Sequence, residues 1–291
     1  MKFAAIDIGS NTVQMMIAEA DAGLLKNRRS WLQTTRLGSG AEEKRLTPES
    51  ITDTLEAVAD FMPIIQGEGV SRCRILATSA VRDAENGWEL AEAIAKVPHA
   101  PVMEILSGME EAQTSFLGVR ASIKAEEHWP VMDLGGASTE LIYKLDGELH
   151  SVSGNIGAVR AHANAWDKQE IEKIVRNTYR KLNDADTLIG VGGTITTAAG
   201  ILCGLQSYDR ESIEGKLVSI SQLQELYQQL LPLTIPQRCQ FSPLLIKRGE
   251  IIQEGLEIIF ALADLLQIEK IAVCGGGILD GAIWQMANGQ K

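Results

Sequence analysis

Two stretches of this chain share one pattern. The first is Ala5-Ile6-Asp7-Ile8-Gly9-Ser10-Asn11-Thr12 and the second is Val131-Met132-Asp133-Leu134-Gly135-Gly136-Ala137-Ser138-Thr139. In each, an apolar run ends in an Asp, passes a glycine-containing turn and re-enters an apolar run through small hydroxyl residues. Glycine lacks the Cβ that would keep a ligand away from the backbone, so such a turn offers its N–H groups to an anion. Ser and Thr hydroxyls donate to phosphate oxygens, and an Asp at a strand end can hold a divalent cation or its water. One copy is a weak signal. Two copies opening two halves of the chain predict a duplicated domain that grips one phosphate chain from both sides.

A third constellation is Ser107-Gly108-Met109-Glu110-Glu111. Ser107 and Glu110 have the S-x-x-E spacing of a capping box, which gives Glu110 a structural task. Glu111 has none. On a helix it shares a face with Thr114, Ser115 and Gly118, while Ala112, Phe116 and Val119 form the apolar stripe. A carboxylate on that small-residue face suits a cleft wall, where it accepts a proton from water or orients it. The alternative is a solvated helix glutamate. In Thr78-Ser79-Ala80-Val81-Arg82, after an apolar run, Arg82 can fork onto a phosphate or pair on the helix surface with Asp83 or Glu85. Gly190-Val191-Gly192-Gly193-Thr194 and Cys274-Gly275-Gly276-Gly277 both follow strands and precede helices. There Gly192 and Gly193 can bring backbone close to phosphate, or serve only tight packing; neither run matches a P-loop or dinucleotide fingerprint. The four histidines and four cysteines show no metal-ligand spacing, so a zinc site is not expected.

The elements that must position these residues alternate between short apolar runs and longer helical-period stretches, the pattern of an α/β fold. Strands are expected near 2–8, 12–20, 30–37, 73–77, 101–105, 129–134, 138–145, 148–153, 187–191 and 269–274. Thr47 and Pro48 start a helix carrying Ile51, Leu55, Val58 and Met62 at helical spacing. A long helix fits 246–266. The charged stretch 124–128 divides the chain into domains at 1–124 and 125–291.

At 291 residues and 45% apolar, the chain has material for two cores. Its 38 acidic against 27 basic residues give a net charge of −11, which argues against a general electrostatic grip on nucleic acid. A polyphosphate-like substrate meets the same repulsion, so it must be held locally by turn amides, a few arginines and a neutralising metal, for which Mg²⁺ is the expectation. No signal or membrane-spanning segment can be drawn at the N-terminus, and the scattered cysteines suit a reducing cytoplasm.

Taken in order, DIGSNT (7–12), TSAVRDAEN (78–86), ILSGMEEA (105–112), DLGGASTE (133–140), GNIGAVR (154–160), GVGGT (190–194) and the glycines at 275–277 resemble the exopolyphosphatase and guanosine pentaphosphate phosphohydrolase family. The resemblance implies two ribonuclease-H-like domains of the actin, sugar kinase and heat-shock ATPase superfamily around a central cleft, in the short form without a C-terminal helical domain. It implies Glu111 as catalytic base or water-orienting residue. It also implies Asp133 and Glu140 holding Mg²⁺, with Mn²⁺ as the alternative, and Glu140 assisting with water. Gly135, Gly136, Ser138 and Thr139 would bind phosphate opposite Asp7, Gly9, Ser10 and Asn11, with Arg82 also on phosphate. Ala137 stands where the family usually has a third glycine, which a negative φ tolerates, and Gln14 stands where many relatives have an arginine. The expected reaction is release of terminal phosphate from inorganic polyphosphate. The alternatives are a guanosine pentaphosphate phosphohydrolase, a sugar-type kinase lacking a visible sugar pocket, and a non-catalytic polyphosphate or alarmone binder. No nucleic-acid or membrane partner is expected, and a homodimer is a possible assembly.

Overall fold

The structure is a computed structural model describing residues 1–21, 24–40, 44–126, 128–182 and 185–290; residue 127 of the expected interdomain stretch lies outside them. The strands are β1 Lys2–Ile8, β2 Thr12–Asp21, β3 Leu24–Thr34, β4 Arg72–Ala77, β5 Met103–Ile105, β6 Val131–Leu134, β7 Thr139–Leu145, β8 Glu148–Gly154, β9 Thr187–Val191, β10 Leu217–Ser219 and β11 Lys270–Val273. The helices are α1 Pro48–Gly67, α2 Ser79–Arg82, α3 Gly87–Ile94, α4 Gly108–Ser122, α5 Ala158–Ala163, α6 Lys168–Thr178, α7 Gly193–Leu202, α8 Arg210–Ile213, α9 Ile220–Leu230, α10 Ile235–Phe241, α11 Ile252–Leu266 and α12 Ile278–Ala287. Two compact units result, Met1–Ser122 with Gly276–Lys291, and Ile123–Gly275.

The first unit orders its sheet β3-β2-β1-β4-β5, and the second orders its own β8-β7-β6-β9-β11 with β10 added at the end. The two orders are the same, an antiparallel three-strand meander followed by parallel strands reached through helical crossovers. The paired Asp-glycine patterns predicted the duplication, and the family resemblance implied its ribonuclease-H-like α/β form.

In the first unit the sheet is covered on both faces, which is why β1 reads as a nearly unbroken apolar run. Ala4, Ile6 and Ile8 enter one core with Val13, Met15, Ile17 and Phe61, while Phe3 and Ala5 enter another with Met16, Ala18, Leu279 and Ile283. The parity of the strands puts Asp7 and Gln14 on the second of these faces, the one covered by α12. The second unit gathers Met132, Leu134, Leu141, Leu188, Ile271 and Val273 on one sheet face beneath α11, and Asp133 and Glu140 project from the other.

Four expectations need correction. The third strand runs over 24–34, not 30–37, because an edge strand carrying Lys26, Arg28 and Arg29 shows little apolar alternation. The long helix begins at Ile252, after a short 3₁₀ turn at Pro243–Leu245 and further turns, so 246–251 are not α-helical. Strand β10 is an addition. The segment from Gly276 joins the first unit, not the second: α12 is fastened there by Arg28 Nε on Asp280 Oδ1 at 2.8 Å and by Arg74 Nη1 on Gln285 Oε1 at 2.7 Å.

Candidate active site

In the first unit β1 and β4, and then β4 and β5, pair in parallel, with Ile8 opposite Ala77 and Ala77 opposite Ile105. Their C-terminal ends therefore lie side by side, and the Gly9–Thr12 turn, the Thr78–Arg82 segment and the start of α4 meet at one sheet end. Ligands of open α/β sheets bind outside this end. Ser107 and Glu110 cap α4 reciprocally: Glu110 Oε2 accepts from Ser107 N at 2.9 Å and Oγ at 2.8 Å, and Ser107 Oγ accepts from Glu110 N at 3.3 Å. Glu110 is thereby used up as a cap, as its spacing required.

Glu111, one residue on, is half-buried and meets Arg82. Arg82 Nη1 donates to Glu111 Oε2 and to Leu106 O, both at 2.9 Å, and its Nε lies 3.4 Å from Asp83 Oδ1. Partial burial works against the Arg82 charge, but the hydrogen bond and charge of Glu111, followed by Asp83, outweigh it and raise its pKa above the ordinary value. Both Glu111 Oε1 and Arg82 Nη2 keep free hydrogen-bonding capacity among the described residues. The small-residue face around Glu111 is not an open wall. Thr114, Ser115 and Gly118 are buried, and a Cβ at Gly118 would run into the backbone of Gly277 and Gly281. The small side chains let α4 and α12 cross closely, and the predicted stripe of Ala112, Phe116 and Val119 is buried too.

The two Asp-glycine hairpins match in detail. Gly9 N donates to Thr12 O at 3.1 Å, and Gly135 N to Ser138 O at 3.0 Å. A Cβ at either glycine would sit 3.3 Å or 3.2 Å from the same carbonyl. Asp7 pairs across the ladder with Gln14, as Asp133 does with Glu140. In each turn the carbonyls are tied to a backing segment. Ser10 O accepts from Gly38 N, and Asn11 O from Thr35 N and Arg36 N; Gly135 O accepts from Ala158 N, and Gly136 O from Arg160 N. A trans peptide points its N–H opposite to its C=O, so tied carbonyls send the following amides away from the backing segment. Amides turned this way are oriented as an anion would require. Gly157 is what lets α5 come so close, since a Cβ there would lie 2.5 Å from Gly136 O. Ala137 does not adopt a positive φ, so its methyl adds no backbone strain.

In the second unit β6, β9 and β11 are likewise parallel neighbours, which brings Gly192 and Gly193 to the end where β6 delivers its turn. Gly192 has φ +103°, and a Cβ there would strike Leu134 O. At Gly193 a Cβ would strike the Arg248 guanidinium. The guanidinium of Arg248 thus lies against bare backbone where α7 starts, a place where an anion could meet it, and burial pulls its pKa below the ordinary value. Sequence reasoning missed Arg248; the only signal was a basic residue just ahead of the long apolar helix.

Of the remaining expected phosphate contacts, Ser10, Asn11 and Ser138 lie on the turns. Thr139 does not serve as one. It is fully buried, its hydroxyl donating to Ile156 O at 2.5 Å and its carbonyl accepting from Tyr179 Oη at 2.6 Å. Burial first, and the charge of Glu140 second, push that tyrosine well above its ordinary pKa. Glu140 Oε1 accepts from Ser153 Oγ at 2.7 Å. Among the described residues no three His, Cys, Asp or Glu side chains gather as a metal cage. What the second unit offers is two carboxylates directly opposite on one sheet face, with Cβ atoms expected about 4.5–5.5 Å apart. Mg²⁺ is commonly held by one or two carboxylates with water and substrate phosphates completing its shell, so Asp133 and Glu140 fit it.

Duplicated ribonuclease-H-like units, each with an Asp-ended hairpin at the C-terminal end of its central strand, define a protein of the actin, sugar kinase and heat-shock ATPase superfamily. Residues 16–289 match the Ppx/GppA phosphatase family, and the chain belongs to it. It is 30% identical to exopolyphosphatase 2 of Mycobacterium tuberculosis, over 98% of each chain. It is also 30% identical to a guanosine-5'-triphosphate,3'-diphosphate pyrophosphatase of Aeromonas salmonicida, covering 97% of this chain and 58% of that one. The crystal structure of the Aquifex aeolicus Ppx/GppA phosphatase, type II variant, superposes with a TM-score of 0.85 at 25% identity, covering 98% of this chain and 99% of that one.

Proposed function

We propose that this protein is an exopolyphosphatase, releasing terminal phosphate from inorganic polyphosphate by hydrolysis. The observation that carries the reading is the Arg82–Glu111 pair at the sheet end, in which Arg82 fixes one carboxylate oxygen and leaves Oε1 for water. Glu111 Oε1 accepts a proton from the attacking water as the oxygen approaches the terminal phosphorus in line. The bond from that phosphorus to the bridging oxygen breaks, and the shortened chain leaves as an anion, so no strong general acid is required. In the first unit the Gly9–Thr12 turn amides, Ser10, Asn11 and the free nitrogen of Arg82 would bind phosphate oxygens; in the second unit the Gly135–Ser138 turn amides, Ser138, Gly192 and Gly193 would do the same. Asp133 and Glu140 would hold Mg²⁺, which when bound neutralises phosphate charge.

The test is phosphate release from long-chain polyphosphate, guanosine pentaphosphate and ATP with Mg²⁺, in wild type and Glu111→Gln. Loss of turnover with retained binding in the variant is expected; equal rates would remove Glu111 from the mechanism. A preference for guanosine pentaphosphate would select the reading shared with the Aeromonas relative. Tight binding with no release from any of the three would make the protein a binder.

A further inference from the structure

We infer that Arg160 is a positioning residue, holding the peptide between Ala137 and Ser138 in the orientation that presents the Ser138 amide to phosphate. The inference deepens the phosphohydrolase reading and rests on it for its ligand. Of the three successive carbonyls in the second turn, Gly135 O and Gly136 O are held by main-chain N–H groups of α5, at 3.1 Å and 2.9 Å. The third, Ala137 O, is held by a side chain: Arg160 Nε donates to it at 2.8 Å. The first turn needs no such device, because Asn11 O receives two main-chain donors, Thr35 N and Arg36 N.

Arg160 is exposed and forms no ion pair among the described residues, so this hydrogen bond is what orders its side chain. Without it, the third peptide is the one free to rotate. A rotated peptide would turn the Ala137 carbonyl toward the ligand and take the Ser138 N–H away, replacing attraction of an anion by repulsion. Arg160 thus acts through Ala137 O, and its Nε matters more than its charge.

Side-chain geometry separates the two properties. Arg160→Gln places an N–H donor at the position of Nε and removes the charge, whereas Arg160→Lys keeps the charge but puts a methylene there. Amide ¹H–¹⁵N signals of Gly136, Ala137 and Ser138 in the ligand-free protein, and tripolyphosphate affinity by calorimetry, are compared in wild type and both variants. The expected result is that Arg160→Lys shifts the Ser138 signal and weakens tripolyphosphate roughly three- to tenfold, the worth of one hydrogen bond, and that Arg160→Gln restores both. Wild-type-like Ser138 signals in Arg160→Lys would overturn the inference, as would an Arg160→Gln protein no better than Arg160→Lys. Failure of wild type to bind tripolyphosphate would count against the substrate reading, while the ligand-free amide signals would still decide the role of Arg160.

Discussion

Arg82 and Glu111 are joined by a single nitrogen: Nη1 of the arginine donates to both Glu111 Oε2 and the carbonyl of Leu106 at the end of the β5 segment. The guanidinium is thus anchored to backbone as well as to the carboxylate, and the glutamate's rotamer is set by a group that cannot drift. Preorganisation of this kind matters because a misplacement of about 1 Å can cost on the order of 100-fold in rate.

Arg82→Gln is therefore expected to lower kcat for phosphate release by roughly 100-fold while changing KM much less. Steady-state kinetics on polyphosphate check it. A raised KM with kcat intact would make Arg82 a substrate contact only.

Asp133→Asn and Glu140→Gln should each move the Mg²⁺ dependence of phosphate release to higher concentration, by roughly tenfold or more, since groups one shell further from a metal already contribute about that much. Titration of activity against Mg²⁺ measures it. Asp7→Asn, on the hairpin whose partner position is Gln14 and not a carboxylate, should shift the midpoint less.

Gly118→Ala should destabilise the protein by on the order of 1–3 kcal/mol or more, because its methyl meets the backbone of Gly277 and Gly281, which cannot rotate out of the way. Gly67→Ala, at the end of α1 with nothing within 4 Å, should instead stabilise by about 0.4–1 kcal/mol through the unfolded chain. Urea denaturation midpoints should move in opposite directions.

Glu257 is a pH-dependent liability. Burial first, and the neighbouring charge of Glu254, raise its pKa above the ordinary 4.5, although the Tyr227 hydroxyl hydrogen bond opposes the shift. The folded state then holds a proton that the unfolded state releases earlier, so Glu257 costs stability increasingly as pH rises above 4.5. Glu257→Gln should raise the melting temperature at pH 7.5, and the advantage should shrink as pH is lowered toward 4.5. A gap that widens on acidification would contradict this.

The site was legible in sequence wherever chemistry depends on local spacing. The capping box told Glu110 from Glu111 because a cap is decided within one helical turn, and the two hairpins announced themselves because a glycine turn must carry its glycine in place. Long-range packing was not legible. Thr139 looks like a phosphate ligand beside Ser138, yet it lies in the strand, where alternation sends its side chain inward to Ile156 O. Gly118 looked like part of an open face because nothing in its own helix reveals that α12 will cross there.

Residue types and spacing by themselves determined the α/β alternation, the paired Asp-glycine hairpins and the capping role that sets Glu110 apart from Glu111, because each is read from a short stretch of chain. Only tertiary structure decided that Arg82 holds Glu111, that Arg248 lies on Gly193, that Arg160 secures Ala137 and that the C-terminal helix completes the first unit. Those contacts join segments far apart in the chain, and their partners are selected by shape and charge once the sheets have formed.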